Sequence, residues 1–239
     1  MPSQVRRWLW RQSHNLSFWP PIGWVRFGGL RRVTPISAVF GLDRGIAIDR
    51  YYIEHFLERH GGDVRGRVLE VADRTYTTRF GGDRVEHSDV LHVQEGNANA
   101  TIVADLSADH PHIKSDAFDC IILTQTLQFI YDVRAAIGTL HRILKPGGVL
   151  LATFPGISQI SRHDMKRWGE YWRFTTLSAQ RLFAEAFLSN NVEAEAYGNV
   201  LAASAQLYGL AVEDLYQREL DARDPDYELI ITVRATKSE

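Results

Sequence analysis

Short apolar runs alternate with polar, glycine-punctuated breaks through the middle of the chain. Runs at 67–71, 84–91, 101–104, 120–123 and 149–153 are short, and the tightest of them, Cys-Ile-Ile-Leu at 120–123, has no polar position. A strand buried on both faces reads this way. Around these runs the period changes. Residues 49–60 place Tyr52, Phe56 and either Ile53 or Leu57 three and four apart, and Gly61-Gly62 follows as a helix stop. Residues 132–144 put Val133, Ala136, Ile137, Leu140 and Leu144 on one side, and 177–187 offer Leu177, Leu182, Phe183 and Phe187 for burial. Two more strands are expected at 192–197 and 227–233, separated by a helical insert at 201–220 and a turn at Asp224-Pro225-Asp226. Strands alternating with helices predict an α/β fold, its parallel sheet covered by helices on both faces.

A chain of 239 residues, 45% hydrophobic, can bury one substantial core, or one core with an appendage. Its 27 basic residues balance 29 acidic ones, so no concentrated basic face is expected and nucleic acid is not an expected partner. The single cysteine, Cys120, sits in an apolar run; it makes no intrachain disulfide or Cys-rich metal site, and it fits a reducing, cytoplasmic setting. No metal is expected. No apolar run reaches the roughly 18 residues of a membrane-crossing helix, and arginines interrupt the N-terminus where a signal peptide would be apolar.

Residues 1–42 stand apart from 43–239. They hold six arginines and four of the six tryptophans, and the first acid is Asp43. Three readings are open: an arm wrapped over the main domain, a surface for an acidic partner or an anionic membrane, and a grip on a phosphorylated acceptor.

From Gly66 onward the order is strand, acid, strand, acid, strand, helix, a Lys145-Pro146-Gly147-Gly148 turn, strand. With the segment Tyr171-Trp172-Arg173-Phe174-Thr175, that succession over 43–239 resembles the class I S-adenosylmethionine (SAM)-dependent methyltransferases. It resembles in particular the type 11-like members of bacterial polysaccharide and glycosyl-transfer loci. The resemblance implies a Rossmann-like, seven-stranded, mostly parallel sheet with an antiparallel last strand. It also implies SAM as cofactor and S-adenosylhomocysteine as product.

Ligands of open α/β sheets lie at the carboxyl ends of the strands. By resemblance, Glu70 contacts the first loop or the SAM amino group. Asp89, 19 residues later, takes the ribose hydroxyls with Val90 beside it, and Asp105 takes the adenine amino group with Leu106 beside it. Thr124 and Gln125 close the cofactor side. The first loop departs from the family pattern. Where glycines would let the backbone approach the cofactor, it has Ala72 and then Asp73-Arg74-Thr75, so Arg74 either points away from the pocket or fills it. Gln125 stands where comparable members carry Glu, and Gln128-Phe129 where they carry a Glu-His pair, so the commonest proton acceptor is absent. Gln125 and Gln128 either orient a ligand or cap the strand and the helix after it.

Residues 156–174 are expected to form a lid over the acceptor. In it His163 and Asp164 are the candidate base for a hydroxyl, or a solvated loop; Trp168, Tyr171 and Trp172 stack on a sugar or planar acceptor, or anchor the lid. Residues 43–52 cover the cofactor side, with Arg44, Asp49 and Tyr51 as polar candidates. The enzyme reading is O-methylation of a sugar, glycan or small metabolite, an in-line transfer that needs mainly alignment and exclusion of water. The alternative is a methyltransferase-like binding or scaffold domain of a glycosyl-transfer pathway, inactive or reused for another reaction. A nicotinamide dehydrogenase needs a glycine fingerprint that this chain lacks.

Overall fold

A computed structural model of the protein describes residues 20, 21, 23–108 and 110–238. The chain divides into two compact units, Met1–Thr34 and Pro35–Glu239. The first contains a short 3-10 turn, Gly28–Leu30, and sets the Arg31 guanidinium 5.8 Å from the centre of the Phe27 ring. Arg6, Arg7, Trp8, Trp10, Arg11 and Trp19, on which much of the reading of 1–42 rests, lie outside the described residues.

The second unit is built on a sheet of seven strands among the described residues: β1 (Gly66–Val71), β2 (Val85–His92), β3 (Ile102–Val103), β4 (Phe118–Thr124), β5 (Leu144–Pro155), β6 (Val192–Tyr197) and β7 (Ile230–Thr236). Their order is β3-β2-β1-β4-β5-β7-β6. The first five run parallel, and β7 is antiparallel to both its neighbours, as the resemblance implies. The last strand begins at Ile230 rather than 227. The turn after Asp224 runs on through Tyr227, whose N–H donates to Asp224 O at 3.0 Å, and the Glu228 carboxylate leaves the sheet to accept from Thr176 N at 2.9 Å.

Among the described residues the helices are α1 (Ile48–Arg59), α2 (Val133–Ile143), α3 (Arg162–Trp168), α4 (Thr176–Ala184), α5 (Val200–Tyr208) and α6 (Gln217–Asp221). The expected insert at 201–220 is thus two helices with a 3-10 turn, Val212–Asp214, between them. Capping fixes several starts: Asp132 Oδ1 accepts from Ala135 N at 3.0 Å, and Thr175 and Ser178 form a reciprocal box. Strand side chains alternate between two cores. Ile121 and Leu123 join Ile137, Leu140 and Phe183 beneath α2 and α4, while Cys120 and Ile122 join Ile53, Phe56 and Ala202 beneath α1 and α5. Cys120 is fully buried, and burial pushes its thiol up.

The Lys145-Pro146-Gly147-Gly148 segment takes up a register jump at the start of β5, where Phe118 faces Leu144 but Cys120 faces Val149. Gly147 has φ +74°, and a Cβ on Gly148 would lie 2.8 Å from Lys145 O and 3.0 Å from Phe118 O, so side chains fit poorly at both positions. The edge strand β6 carries Glu193 and Glu195, which pair with Arg234 and Arg59 and discourage further strand addition. Among the described residues no helix is long and apolar enough to cross a membrane.

Strand order reverses between β1 and β4, which leaves a crevice at their carboxyl ends. Helix α1 walls one side of it and is anchored by Phe56, which is 1% exposed. Phe56→Ala is expected to cost about 3–5 kcal/mol in urea denaturation; a loss under about 1 kcal/mol would mean that α1 is not packed as described.

Candidate active site

The crevice opens into a cleft of about 1090 Å³, bounded by α1, the carboxyl ends of β1 to β5, and the segment 155–171. That exceeds the usual span of small-molecule pockets, roughly 300–1,000 Å³, so the space suits two ligands side by side.

Glu70, near the end of β1, shapes the first loop. It is 2% exposed, and its two carboxylate oxygens accept from Tyr76 N at 3.1 Å and Thr77 N at 2.7 Å. Burial pushes its pKa above the ordinary 4.5, against the pull of these hydrogen bonds. Asp73 Oδ1 accepts from Thr75 N at 2.8 Å, and Ala72 O accepts from Asn97 Nδ2 at 2.7 Å. Ala72 itself has φ +77°, the left-handed conformation that the missing glycine would adopt freely. The glycine-free loop therefore keeps its course through side-chain hydrogen bonds. Arg74 is exposed and outside the cleft lining, so it does not fill the pocket.

Asp89 does not reach the cleft. Strand β2 continues to His92, and the Asp89 carboxylate, 7% exposed, is taken by Arg67 Nε at 2.7 Å and Thr101 Oγ1 at 2.9 Å. Val90 is buried in the same strand away from the lining. The residues that β2 delivers to the cleft are Leu91 and His92; spacing from Glu70 points to Asp89 because it does not reveal that the strand runs three residues further. Asp105 and Leu106 do line the cleft; Asp105 Oδ1 accepts from Ser107 N at 2.8 Å and Ser107 Oγ at 2.7 Å. Thr124 ends β4 there, and Gln125 follows it with φ +47°. Gln128 Nε2 donates to Gln125 O at 2.9 Å, while Gln125 Nε2 and Gln128 Oε1 are buried without partners.

From α1 the cleft receives Asp49 and Arg50. Asp49 Oδ1 is covered and has no hydrogen-bond partner. Burial raises the carboxyl above its ordinary 3.8, outweighing the attraction of Arg50. Arg50, absent from the sequence candidates, donates from Nη1 to Tyr76 Oη at 2.7 Å. Two expected residues turn elsewhere. Arg44 forms a two-pronged pair with Asp214, with contacts of 2.9 and 3.0 Å, and Tyr51 Oη donates to Asp221 at 2.6 Å on another side of the helix.

The lid segment brings in Ser161, Asp164, Arg167, Trp168, Glu170 and Tyr171. It is tied to the cleft floor by Tyr171 N, which donates to Gln128 O at 2.8 Å. Ser161 Oγ donates to Asp164 Oδ2 at 2.5 Å. His163 is 68% exposed and outside the lining, with Nδ1 3.3 Å from Asp164 Oδ1, so it is no direct base for a bound acceptor. Trp172 is also outside; its Nε1 donates to Ile130 O at 3.0 Å, and its ring tilts against Tyr131, which in turn meets Tyr171 edge-on at 5.3 Å. Trp168 meets the His92 ring edge-to-face at 5.8 Å. Among the described residues no group of His, Cys, Asp and Glu is arranged to hold a metal.

A family model described as a methyltransferase domain matches residues 40–194. The chain belongs to that family. Its cofactor is SAM, as the class I resemblance implies. The fold is similar to that of a SAM-dependent methyltransferase from Archaeoglobus fulgidus (TM-score 0.51, 11% identity, covering 79% of this chain and 94% of that one). It is also similar to an S-adenosylmethionine-dependent methyltransferase from Mesorhizobium loti (0.50, 16%, 82% and 100%) and to the cyclase SpnF (0.52, 19%, 82% and 84%). At these identities the likeness shows the fold. A comparison with curated proteins finds no match.

Three of the four non-glycine residues with positive φ among the described residues, Phe40, Ala72 and Gln125, line the methyltransferase cleft. Such strain gathers at functional sites. Ala72→Gly is expected to relieve about 0.5–1 kcal/mol and raise the melting temperature by about 1–3 °C; a lower melting temperature would contradict the strain. Asp49→Asn removes a charge that burial penalises. Because the folded value lies above 3.8, that penalty is absent at lower pH and grows as pH rises through the folded value. The variant should therefore be more stable than the parent at pH 7, and its advantage should shrink as pH falls to about 4. Denaturation at both pH values checks this; an advantage independent of pH would contradict it.

Proposed function

We propose that this methyltransferase domain transfers a methyl group from SAM to the hydroxyl of a sugar or other small metabolite held under the α3 lid. The observation that carries the reading is the covered, unpartnered Asp49 Oδ1 beside Arg50 in the cleft. An acceptor oxygen and a guanidinium side by side suit the ammonium and carboxylate of an amino acid. Asp105 and Leu106 suit the adenine, a hydrogen-bond acceptor next to an apolar side chain. Glu70 holds the loop on which the cofactor lies. Gln125 Nε2 and Gln128 Oε1 are a donor and an acceptor for whatever bridges the two halves.

When bound, SAM supplies a methyl group activated by a sulfonium. The chain's own work is alignment and exclusion of water. Trp168 and Tyr171 offer aromatic faces to an acceptor ring, and the tie from Tyr171 N to Gln128 O fixes their distance from the cleft floor. Asp164, oriented by Ser161, accepts the hydroxyl proton; His163 turns outward, and the other lid carboxylate, Glu170, is taken by Arg173 and Ser161 N. The outward course of Arg74 and the open cleft favour this reading over a scaffold domain, which draws its support from Arg74 and the glycine-free loop together with Gln125, Gln128 and Phe129.

Calorimetry with SAM and S-adenosylhomocysteine tests the reading. Micromolar binding is expected, weakened about 10- to 100-fold in Arg50→Ala, as loss of a charge-assisted contact implies, and unchanged in Arg74→Gly. No binding of either compound would contradict it.

A further inference from the structure

The loop after β3 is braced from within. Ala104 and Leu106 are each 3% exposed, and Asp105 stands between them and lines the cleft. Its Oδ1 is taken by Ser107 N and Oγ, so Oδ2 is the oxygen left for a ligand. The main chain of Asp105 is held by a side chain five residues on: Asp105 N donates to His110 Nε2 at 2.9 Å. His110 is fixed in turn through its own carbonyl, which accepts from Ile113 N at 3.0 Å and from Arg142 Nη2 at 3.4 Å. Arg142 Nη1 also donates to Ile113 O at 2.7 Å, and Ile113 is 4% exposed. The imidazole is thus presented to Asp105 from a point anchored to the core and to α2.

The amide decides the tautomer. An N–H needs a lone pair, so Nε2 carries no proton and the neutral ring holds its hydrogen on Nδ1. A second proton would set Nε2–H against Asp105 N–H, donor facing donor, and the brace would be lost. Imidazole is the side chain that makes this change between roughly pH 5 and 8. The charged and titratable groups that meet His110 are Asp105 in the same loop, His112, whose ring meets it edge-to-face at 5.2 Å, and Arg142 on α2.

We propose that His110 is a positioning residue: its neutral ring holds Asp105 in place for the adenine, and its protonation releases that loop and weakens cofactor binding. This rests on the SAM reading above. An Asp105 free to move must be ordered by the ligand, at the expense of affinity. The cleft therefore carries a pH response in a side chain that never touches the cofactor.

The test is titration calorimetry of the full chain with S-adenosylhomocysteine at about pH 8 and about pH 5.5, the two ends of the imidazole range. At the higher pH, His110→Phe keeps a ring against His112 but loses the acceptor, and should bind about five- to tenfold more weakly than the parent. His110→Gln supplies a neutral amide oxygen in place of Nε2 and should bind as the parent does. At the lower pH the parent should fall about three- to fivefold below His110→Gln, whose oxygen still accepts. Other groups of the cleft titrate alike in both proteins, so the ratio of the two affinities reports His110. If S-adenosylhomocysteine binds but His110→Phe matches the parent, or His110→Gln binds no better than His110→Phe, the His110 assignment is overturned while the cofactor reading stands. A parent-to-Gln ratio that does not change with pH overturns it equally. If the parent binds the compound at neither pH, the cofactor reading fails and takes the assignment with it.

Discussion

Two main-chain amides, those of Tyr76 and Thr77, converge on the buried carboxylate of Glu70, and the cleft depends on that convergence. An unpaired carboxylate at that depth would be costly, and each charge-assisted hydrogen bond returns about 1.5–3 kcal/mol. The bonds close the chain back onto Glu70 over six and seven residues, in a loop without glycines. They also set Tyr76, whose ring is buried against α1 and whose hydroxyl receives Arg50. A single line of contacts thus runs from the end of β1, through the loop, to Arg50 on α1.

The sequence exposed the scaffold well because the scaffold is written in burial. Cys120 to Leu123 is apolar throughout since both sheet faces are covered, and the two glycines after Pro146 mark a register jump that side chains would obstruct. Polar residues were harder to place. Asp89 looked like a strand-end acid, but its fate is decided by Arg67 on the neighbouring strand, a contact between residues 22 apart in sequence. On α1, apolar spacing identified the buried face yet could not say which of the adjacent Asp49, Arg50 and Tyr51 would look into the cleft. Consecutive helical residues differ by about 100°, and Tyr51 goes to Asp221 instead. The same one-residue ambiguity separates His163 from Asp164.

The fold is shared with a protein named as a cyclase as well as with methyltransferases, so the architecture does not choose the reaction. The residues do. Strained backbone at Ala72 and Gln125, an unpartnered carboxylate oxygen at Asp49, and unpartnered amide atoms at Gln125 and Gln128 all belong to residues that line one cleft. A core gains nothing from such features. The missing glycines change how the loop is held, and the cleft beside it stays open.

Residue-resolved amide hydrogen exchange, with and without S-adenosylhomocysteine, tests most directly whether a side-chain-pinned loop replaces the glycine loop. In the ligand-free protein the Tyr76 and Thr77 amides should exchange as slowly as those of β1, and the amides of 72–75 should gain protection when the compound is added. Exchange of Tyr76 and Thr77 at the rate of free chain, or no change across 72–75 at saturating compound, would contradict the account.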